Sequence, residues 1–223
     1  MTIRVLVADD QSMVRGGFRM LLSGEEDFEV VAEASNGLEA VDKAARFHPG
    51  IILMDIRMPE LDGLQATRRI LAADPAARIL VLTTFDLDEF VFEALRAGAS
   101  GFVLKDDSPE QLIAAIRTVA AGEALLSPAI TKRVIQKFAG TQRPAAPKEV
   151  DDLSERERDV FRLMSHGLSN AEIGKELYIS ETTVKTHVTH ILQKLNLRDR
   201  VQAVVLAYHT GLFESPGTST NGA

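Results

Sequence analysis

Hydrophobic and polar positions along this chain fall into two regimes. Up to about residue 105, short apolar runs alternate with helical patterns. Residues 3–8 alternate and then run apolar, residues 28–34 form a second run, and Ile51, Ile52, Leu53 and Met54 are four apolar residues in a row that stop on Asp55. Such an unbroken run reads as a strand buried on both faces, which belongs to a parallel sheet covered by helices. Residues 78–84 and 101–104 add two more strands. Helical spacing covers residues 37–47, 64–73 and 87–97, and Met13, Phe18, Leu21 and Leu22 are expected to form the inward face of a helix after Asp10. A fifth helix opens at Ser108-Pro109-Glu110-Gln111, where Ser108 can cap, Pro109 fits the first turn and Gln111 completes a capping box. Five strands alternating with five helices predict a doubly wound α/β domain on a five-stranded parallel sheet.

From residue 151 the pattern is purely helical. Capping boxes at Ser154-x-x-Glu157 and Ser169-x-x-Glu172 start two helices, one running to about His166 and a short one over residues 170–177. Tyr178-Ile179-Ser180 makes a tight turn, and Ser180 or a neighbour caps a third helix over residues 181–195. A fourth covers residues 199–211. A short helix, a turn and a longer helix predict a second, all-α domain of four helices containing a helix-turn-helix, whose second member enters the DNA major groove. On that helix Val184, Val188, Ile191 and Leu195 recur at helical spacing and belong to the core. Thr182, Thr183, Lys185, Thr186 and Thr189 are left for solvent or DNA, and short hydroxyls with one Lys suit phosphate, thymine-methyl or base-edge contacts.

The expected boundaries are therefore an α/β domain over residues 1–123, a linker with a helical start over 124–150, the helical domain over 151–214 and a Ser/Thr/Gly-rich disordered tail over 215–223. Ser127-Pro128 can start the linker helix, to about residue 138, and prolines keep residues 140–148 extended.

Charge divides the same way. The chain has 223 residues and a net charge of −7, distributed as −9 over residues 1–123, +4 over 124–150 and −2 over 151–223. Two units with different partners fit this asymmetry. The linker's positive charge is assigned to solubility rather than DNA contact. With no Cys in the sequence, disulfides and thiolate metal sites are excluded. No apolar run reaches the roughly 18 residues of a membrane span, and the N-terminus reads straight into a strand rather than a signal peptide, so a soluble cytoplasmic protein without membrane contact is expected.

Candidate chemistry gathers at strand ends. Asp9-Asp10 follow the first strand, Asp55 closes the third, Thr83 the fourth, and Lys105 follows the fifth. In an open parallel sheet these positions share one edge, where ligands bind. Crowded carboxylates repel unless a cation neutralises them, and oxygen-only ligands favour Mg²⁺. The Lys105 ammonium and Thr83 hydroxyl supply what a phosphoryl group on Asp55 needs. Singly, each feature is ordinary: an Asp pair before a helix caps it, a Lys at a strand end is solvated, and Met58-Pro59 and Asp62-Gly63 mark turns. Their order across four strand ends makes a phosphate site the stronger reading.

These residues, with Asp55-x-x-Met58-Pro59-x-x-Asp62-Gly63 and Phe102, carry a resemblance over residues 1–123 to the flavodoxin-like receiver domain of two-component response regulators. The resemblance implies that Asp10 and Asp55 ligate Mg²⁺ directly, Asp9 through water, and the Arg57 backbone carbonyl as a further ligand. It implies that Asp55 is the phosphoacceptor for a sensor histidine kinase, that Thr83 swings toward the phosphate, and that Phe102 follows as the switch aromatic. Here that aromatic is Phe rather than Tyr, without a hydroxyl to hydrogen-bond. The phenylalanines and leucines from Phe85 through Phe102 are mostly core, and any left exposed are candidates for a dimer contact. The remainder, from Leu153 to Phe213, resembles the LuxR-type helix-turn-helix domain through Leu153-Ser154-x-Arg156-Glu157, Gly167-Leu168-Ser169-Asn170-x-Glu172-Ile173 and Thr183-Val184-Lys185-x-His187. With Lys105-Asp106, where many receivers have Pro, the whole chain resembles the NarL/FixJ class.

That class implies a transcription factor rather than an enzyme. Lys185, Thr186 and Thr189 would reach double-stranded DNA, and Val201, Val204, Val205 and Tyr208 on the last helix would pair two domains in a homodimer, at least when phosphorylated. Thr189 departs from members with Lys there. His187 and His190 are spaced for a metal but are read as phosphate or packing partners. Two rivals are an aspartyl-phosphate phosphatase, which needs a second Asp where this chain has Arg57, and a DNA-binding protein with a vestigial receiver, which the full acidic set opposes.

Overall fold

Every residue of Ile51–Asp55 is buried, and this strand takes the centre of a parallel sheet ordered β2-β1-β3-β4-β5. The structure, a computed structural model, describes residues 2–83, 93–105, 107–121 and 147–213, which form two compact units. The sheet consists of β1 (Ile3–Ala8), β2 (Phe28–Ala34), β3 (Ile51–Asp55), β4 (Ile79–Thr83) and β5 (Gly101–Leu104). Among the described residues it is accompanied by α1 (Ser12–Ser23), α2 (Gly37–Phe47), α3 (Gly63–Ala73) and α4 (Pro109–Ala120), and residues 93–97 are also helical.

Alternation divides the sheet into two buried faces. Val5, Val7, Ile51, Leu53, Leu80 and Leu82 pack with Leu22 of α1 and with Leu112, Ile116 and Val119 of α4. Leu6, Ile52, Met54, Ile79 and Val81 are buried on the opposite face, where α2 and α3 pack on each other. Each large apolar side chain buried this way contributes roughly 1.5–3 kcal/mol.

Polar caps set where the helices begin. Asn36 accepts from the Glu39 amide and Asp62 from the Gln65 amide, and Ser108 and Gln111 form the capping box expected for α4. Met13, expected inward from its spacing, is instead 87% exposed. Leu22 carries the buried face of α1, with Phe18 and Leu21 half-buried beside it. The strand expected over residues 78–84 is β4, Ile79–Thr83. Of the helix expected over 87–97, residues 93–97 are seen, and Phe85, Phe90, Phe92, the linker helix over 127–138 and the tail lie outside the described residues.

The helical unit contains α5 (Glu155–Ser165), α6 (Asn170–Leu177), α7 (Glu181–Lys194) and α8 (Arg200–Thr210). Its core gathers Leu153, Val160, Phe161, Met164, Ile173, Val184 and Ile191, and Phe161 meets Phe213 edge to face at 5.0 Å between ring centroids. A 3₁₀ turn, Lys148–Asp152, places Val150 in the same core. The packed unit thus takes in residues 148–150, which the sequence places in the linker, because one valine there finds an apolar pocket.

Candidate functional site

Strand register brings the chemistry together. Ala8 pairs with Met54, and Asp55 with Leu82, while Thr83 pairs with Leu104. Asp9, Asp55, Thr83 and Lys105 therefore meet at the carboxyl edge of four adjacent strands. One carboxylate oxygen from each of Asp9, Asp10 and Asp55 lies within 4.8 Å of the others. Lys105 Nζ lies 2.6 Å from Asp9 Oδ2 and 3.1 Å from Asp55 Oδ2. Asp9 and Asp55 are buried, and Asp10 is exposed at the mouth. Phe102 is buried in β5, and Arg57 is exposed two residues beyond Asp55. The placement of the Thr83 side chain lies outside what is described.

The turn after Asp55 depends on one glycine. A Cβ on Gly63 would sit 1.9 Å from the Asp55 carbonyl oxygen, while the Gly63 amide donates to the Ile56 carbonyl at 2.9 Å. Only a residue without a side chain allows α3 to start this close to the strand end.

Electrostatics at this edge are unbalanced. Burial, with the nearby Asp9 charge, raises the Asp55 pKa against the lowering effect of Lys105. Burial alone would lower that of Lys105, but Asp9 and Asp55 together outweigh it and raise it. One ammonium against three carboxylates leaves two negative charges uncompensated when all are ionised. Asp9 Oδ2 is buried without a well-aligned hydrogen bond despite its ion pair. An all-oxygen donor set with that deficit fits Mg²⁺. Among the described residues this is the one cluster able to hold a metal, and His187 and His190 are not in one.

The second constellation is α6, its turn and α7. Tyr178 ends α6 in the left-handed region, its amide donating to the Gly174 and Lys175 carbonyls, and Ser180 caps α7 by accepting from the Thr183 amide at 3.1 Å. Val184 and Ile191 are fully buried and Val188 half-buried. Thr182, Thr183, Lys185, Thr186 and Thr189 are all exposed. The hydroxyls of Thr186 and Thr189 donate back to the carbonyls of Thr182 and Lys185, at 3.1 and 3.0 Å, leaving their oxygens free to accept. Lys185 lies 3.5 Å from Glu181 one turn earlier. In α8, Ala203 and Ala207 enter the helical core. Val201 and Val204 are buried and Val205 half-buried, although none of the three belongs to that core cluster, and the Tyr208 side chain lies outside the described atoms.

Two supports are not visible as motifs. Arg15 donates to the Asp9 carbonyl at 2.8 Å, which only its position one turn after the acidic pair could have suggested. Lys194 donates to Glu157 Oε2 at 2.7 Å, tying the far end of α7 to the cap of α5. The sequence marks Glu157 as a capping residue, and nothing local marks Lys194.

Residues 5–117 match the response regulator receiver domain, and residues 151–207 match the bacterial regulatory proteins of the luxR family. The chain belongs to the LuxR-family response regulators. This regulator is 44% identical over 213 residues to the uncharacterized transcriptional regulatory protein YxjL of Bacillus subtilis (strain 168), across 95% of this chain and 98% of that one. Among solved structures, a LuxR-family two-component response regulator from Aurantimonas sp. SI85-9A1 is 37% identical with a TM-score of 0.58, covering 62% of this chain and 99% of that one. ChrA, a response regulator in a heme-sensing two-component system, is 34% identical with a TM-score of 0.51, across 95% of the regulator and 99% of ChrA. The family is one of transcriptional regulators, not of enzymes. No helix among the regulator's described residues is long and apolar enough to cross a membrane.

Proposed function

We propose that this response regulator is switched by phosphorylation of Asp55 by a sensor histidine kinase, and that phosphorylation promotes dimerisation and binding to double-stranded DNA in the cytoplasm. The observation that carries this reading is the convergence of Asp9, Asp10, Asp55 and Lys105 on one strand edge. Asp9, Asp10, Asp55 and the Arg57 carbonyl would hold Mg²⁺, which when bound neutralises crowded carboxylates and phosphoryl oxygens. Asp55 presents a carboxylate oxygen to the incoming phosphorus. Lys105, already beside it, donates to a phosphoryl oxygen, and the Thr83 hydroxyl supplies a second donor. Moving Thr83 toward the phosphate frees space behind it, and the buried Phe102 ring reports that change to the receiver surface. Phosphorylation then shifts an equilibrium between receiver conformations.

On DNA, Lys185 contacts a phosphate or guanine edge. Thr186 and Thr189 present methyl groups and acceptor oxygens, which suit thymine methyls and amino groups of adenine or cytosine. Thr182 and Thr183 reach phosphates beside the N-terminus of α7. Two domains pair through Val205 and Tyr208 of α8, together with Val201 and Val204, which are buried here and must be uncovered before they can pair.

The test treats the full chain with a small phosphodonor, with and without Mg²⁺, followed by DNA affinity selection. One phosphoryl group is expected on Asp55, absent in Asp55→Asn and without Mg²⁺, together with tighter DNA binding. Asp10→Ala is expected to lose Mg²⁺ binding and phosphate uptake. Uptake that persists in Asp55→Asn, or DNA affinity indifferent to the phosphodonor, would overturn the reading.

A further inference from the structure

We infer that Arg15, held by Glu33, is a positioning residue for divalent-cation binding, clamping the backbone of Asp9-Asp10 so that both carboxylates face Asp55. This rests on the reading of the acidic pocket proposed above. Arg15 stands in the first turn of α1, yet its side chain folds back over the loop that precedes the helix. Its Nη1 donates to the Asp9 carbonyl at 2.8 Å and to the Asp10 carbonyl at 3.3 Å. Its Nε lies 3.5 Å from Glu33 Oε2 on β2, and the side chain is only 17% exposed.

The helix start lacks the usual alternative. Gln11, at the N-cap position of α1, makes no side-chain cap hydrogen bond. Loop geometry is held instead by the Gln11 amide, which donates to Asp9 Oδ1 at 2.9 Å, and by Arg15 on the two carbonyls. Glu33 is itself fixed. Its carboxylate also pairs with Arg19 at 3.0 Å, and its carbonyl accepts from Lys43 Nζ at 2.6 Å.

The chemistry suits orientation without competition. A guanidinium aimed at carbonyl oxygens does not occupy the carboxylate lone pairs that a cation needs. Glu33 offsets the guanidinium's positive charge, so it repels an incoming cation less. Without this clamp the Asp9-Asp10 backbone turns to water, and cation binding must order it first. Lysine at position 15 offers a single ammonium in place of the two-pronged fork and restores only part of the contact.

The test measures Mg²⁺ binding by calorimetry, and the Mg²⁺ concentration giving half-maximal phosphate uptake from a small phosphodonor. It uses the full-length wild type, Arg15→Ala, Arg15→Lys and Glu33→Gln. Arg15→Ala is expected to weaken Mg²⁺ binding about tenfold, as loss of outer-shell partners does. The half-maximal concentration rises in step, while the uptake rate at saturating Mg²⁺ stays within about twofold. Arg15→Lys should fall between, and Glu33→Gln should shift in the same direction by less. Should Arg15→Ala not fold, the same two readouts on Arg15→Lys and Glu33→Gln decide. Unchanged Mg²⁺ dependence in folded variants, or a lower saturating rate at unchanged Mg²⁺ affinity, overturns the clamp. Wild type that binds no Mg²⁺ overturns the pocket reading along with it.

Discussion

Lys105 sits between two buried carboxylates, with its side chain only 8% exposed, so removing its charge leaves Asp9 and Asp55 facing each other. Breaking a buried pair from one side costs about 3 kcal/mol. Lys105→Met is expected to lower the unfolding midpoint strongly in a chelator, and Mg²⁺ should recover a larger share of stability than in wild type; thermal melts with and without the ion compare the two. Glu157 works differently. Burial would raise its pKa, but hydrogen bonds from Lys194 and Ser154 outweigh this and hold it at about 2 against an ordinary 4.5. Because the folded value is depressed, its contribution is fully present above about 4.5 and is lost as pH falls toward about 2. Glu157→Gln should cost about 2 kcal/mol at neutral pH and flatten the stability profile across that window, as acid titration of unfolding would show. Lys105 is legible in the sequence because it follows the fifth strand in line with Asp9-Asp10, Asp55 and Thr83 at the other strand ends. Met13 is misread because its apolar side chain carries no sign that this turn of α1 faces solvent.

At the scale of elements, the helix-turn-helix depends on how closely α6 approaches its turn. A Cβ on Gly174 would come within 2.8 Å of the Ile179 carbonyl oxygen, a backbone atom that cannot step aside cheaply. Gly174→Ala is expected to destabilise the helical unit by about 2 kcal/mol. DNA affinity should fall further than unfolding alone explains, since α7 must shift on its neighbour. Chemical denaturation beside a DNA titration above the folding threshold would separate the two effects, and equal losses would count against the geometry. The elements themselves are well marked in the sequence. Ser108, Ser154, Ser169 and Ser180 each cap the helix expected to follow them. These signals act within three or four residues, the same range over which a helix end satisfies its free amides.

At the scale of the whole molecule, the helix expected to enter the groove lies in a segment with little excess positive charge. Residues 180–200 carry only four Lys/Arg against two acids, so one recognition helix neutralises few phosphates. If phosphorylation pairs two domains on one site, the slope of log affinity against log salt should roughly double on adding a phosphodonor, each phosphate contact contributing about 0.9 to it. Anisotropy titrations across salt concentrations measure this, and an unchanged slope would argue for monomeric binding.

What the sequence by itself determined was local in origin: strands from unbroken or alternating apolar runs, helices from spacing and caps, and the identity of the acidic, hydroxyl and ammonium groups at strand ends. Parallel order then placed those ends on one edge, since each connecting helix carries the chain back to the starting edge of the sheet before the next strand begins. Tertiary structure alone decided which distant polar atoms meet. Arg15 on the Asp9-Asp10 carbonyls, Glu33 behind it, Lys194 on Glu157 and the burial of Val150 all depend on strand register and helix packing. Contacts between residues far apart in the chain leave no period in the sequence from which to read them.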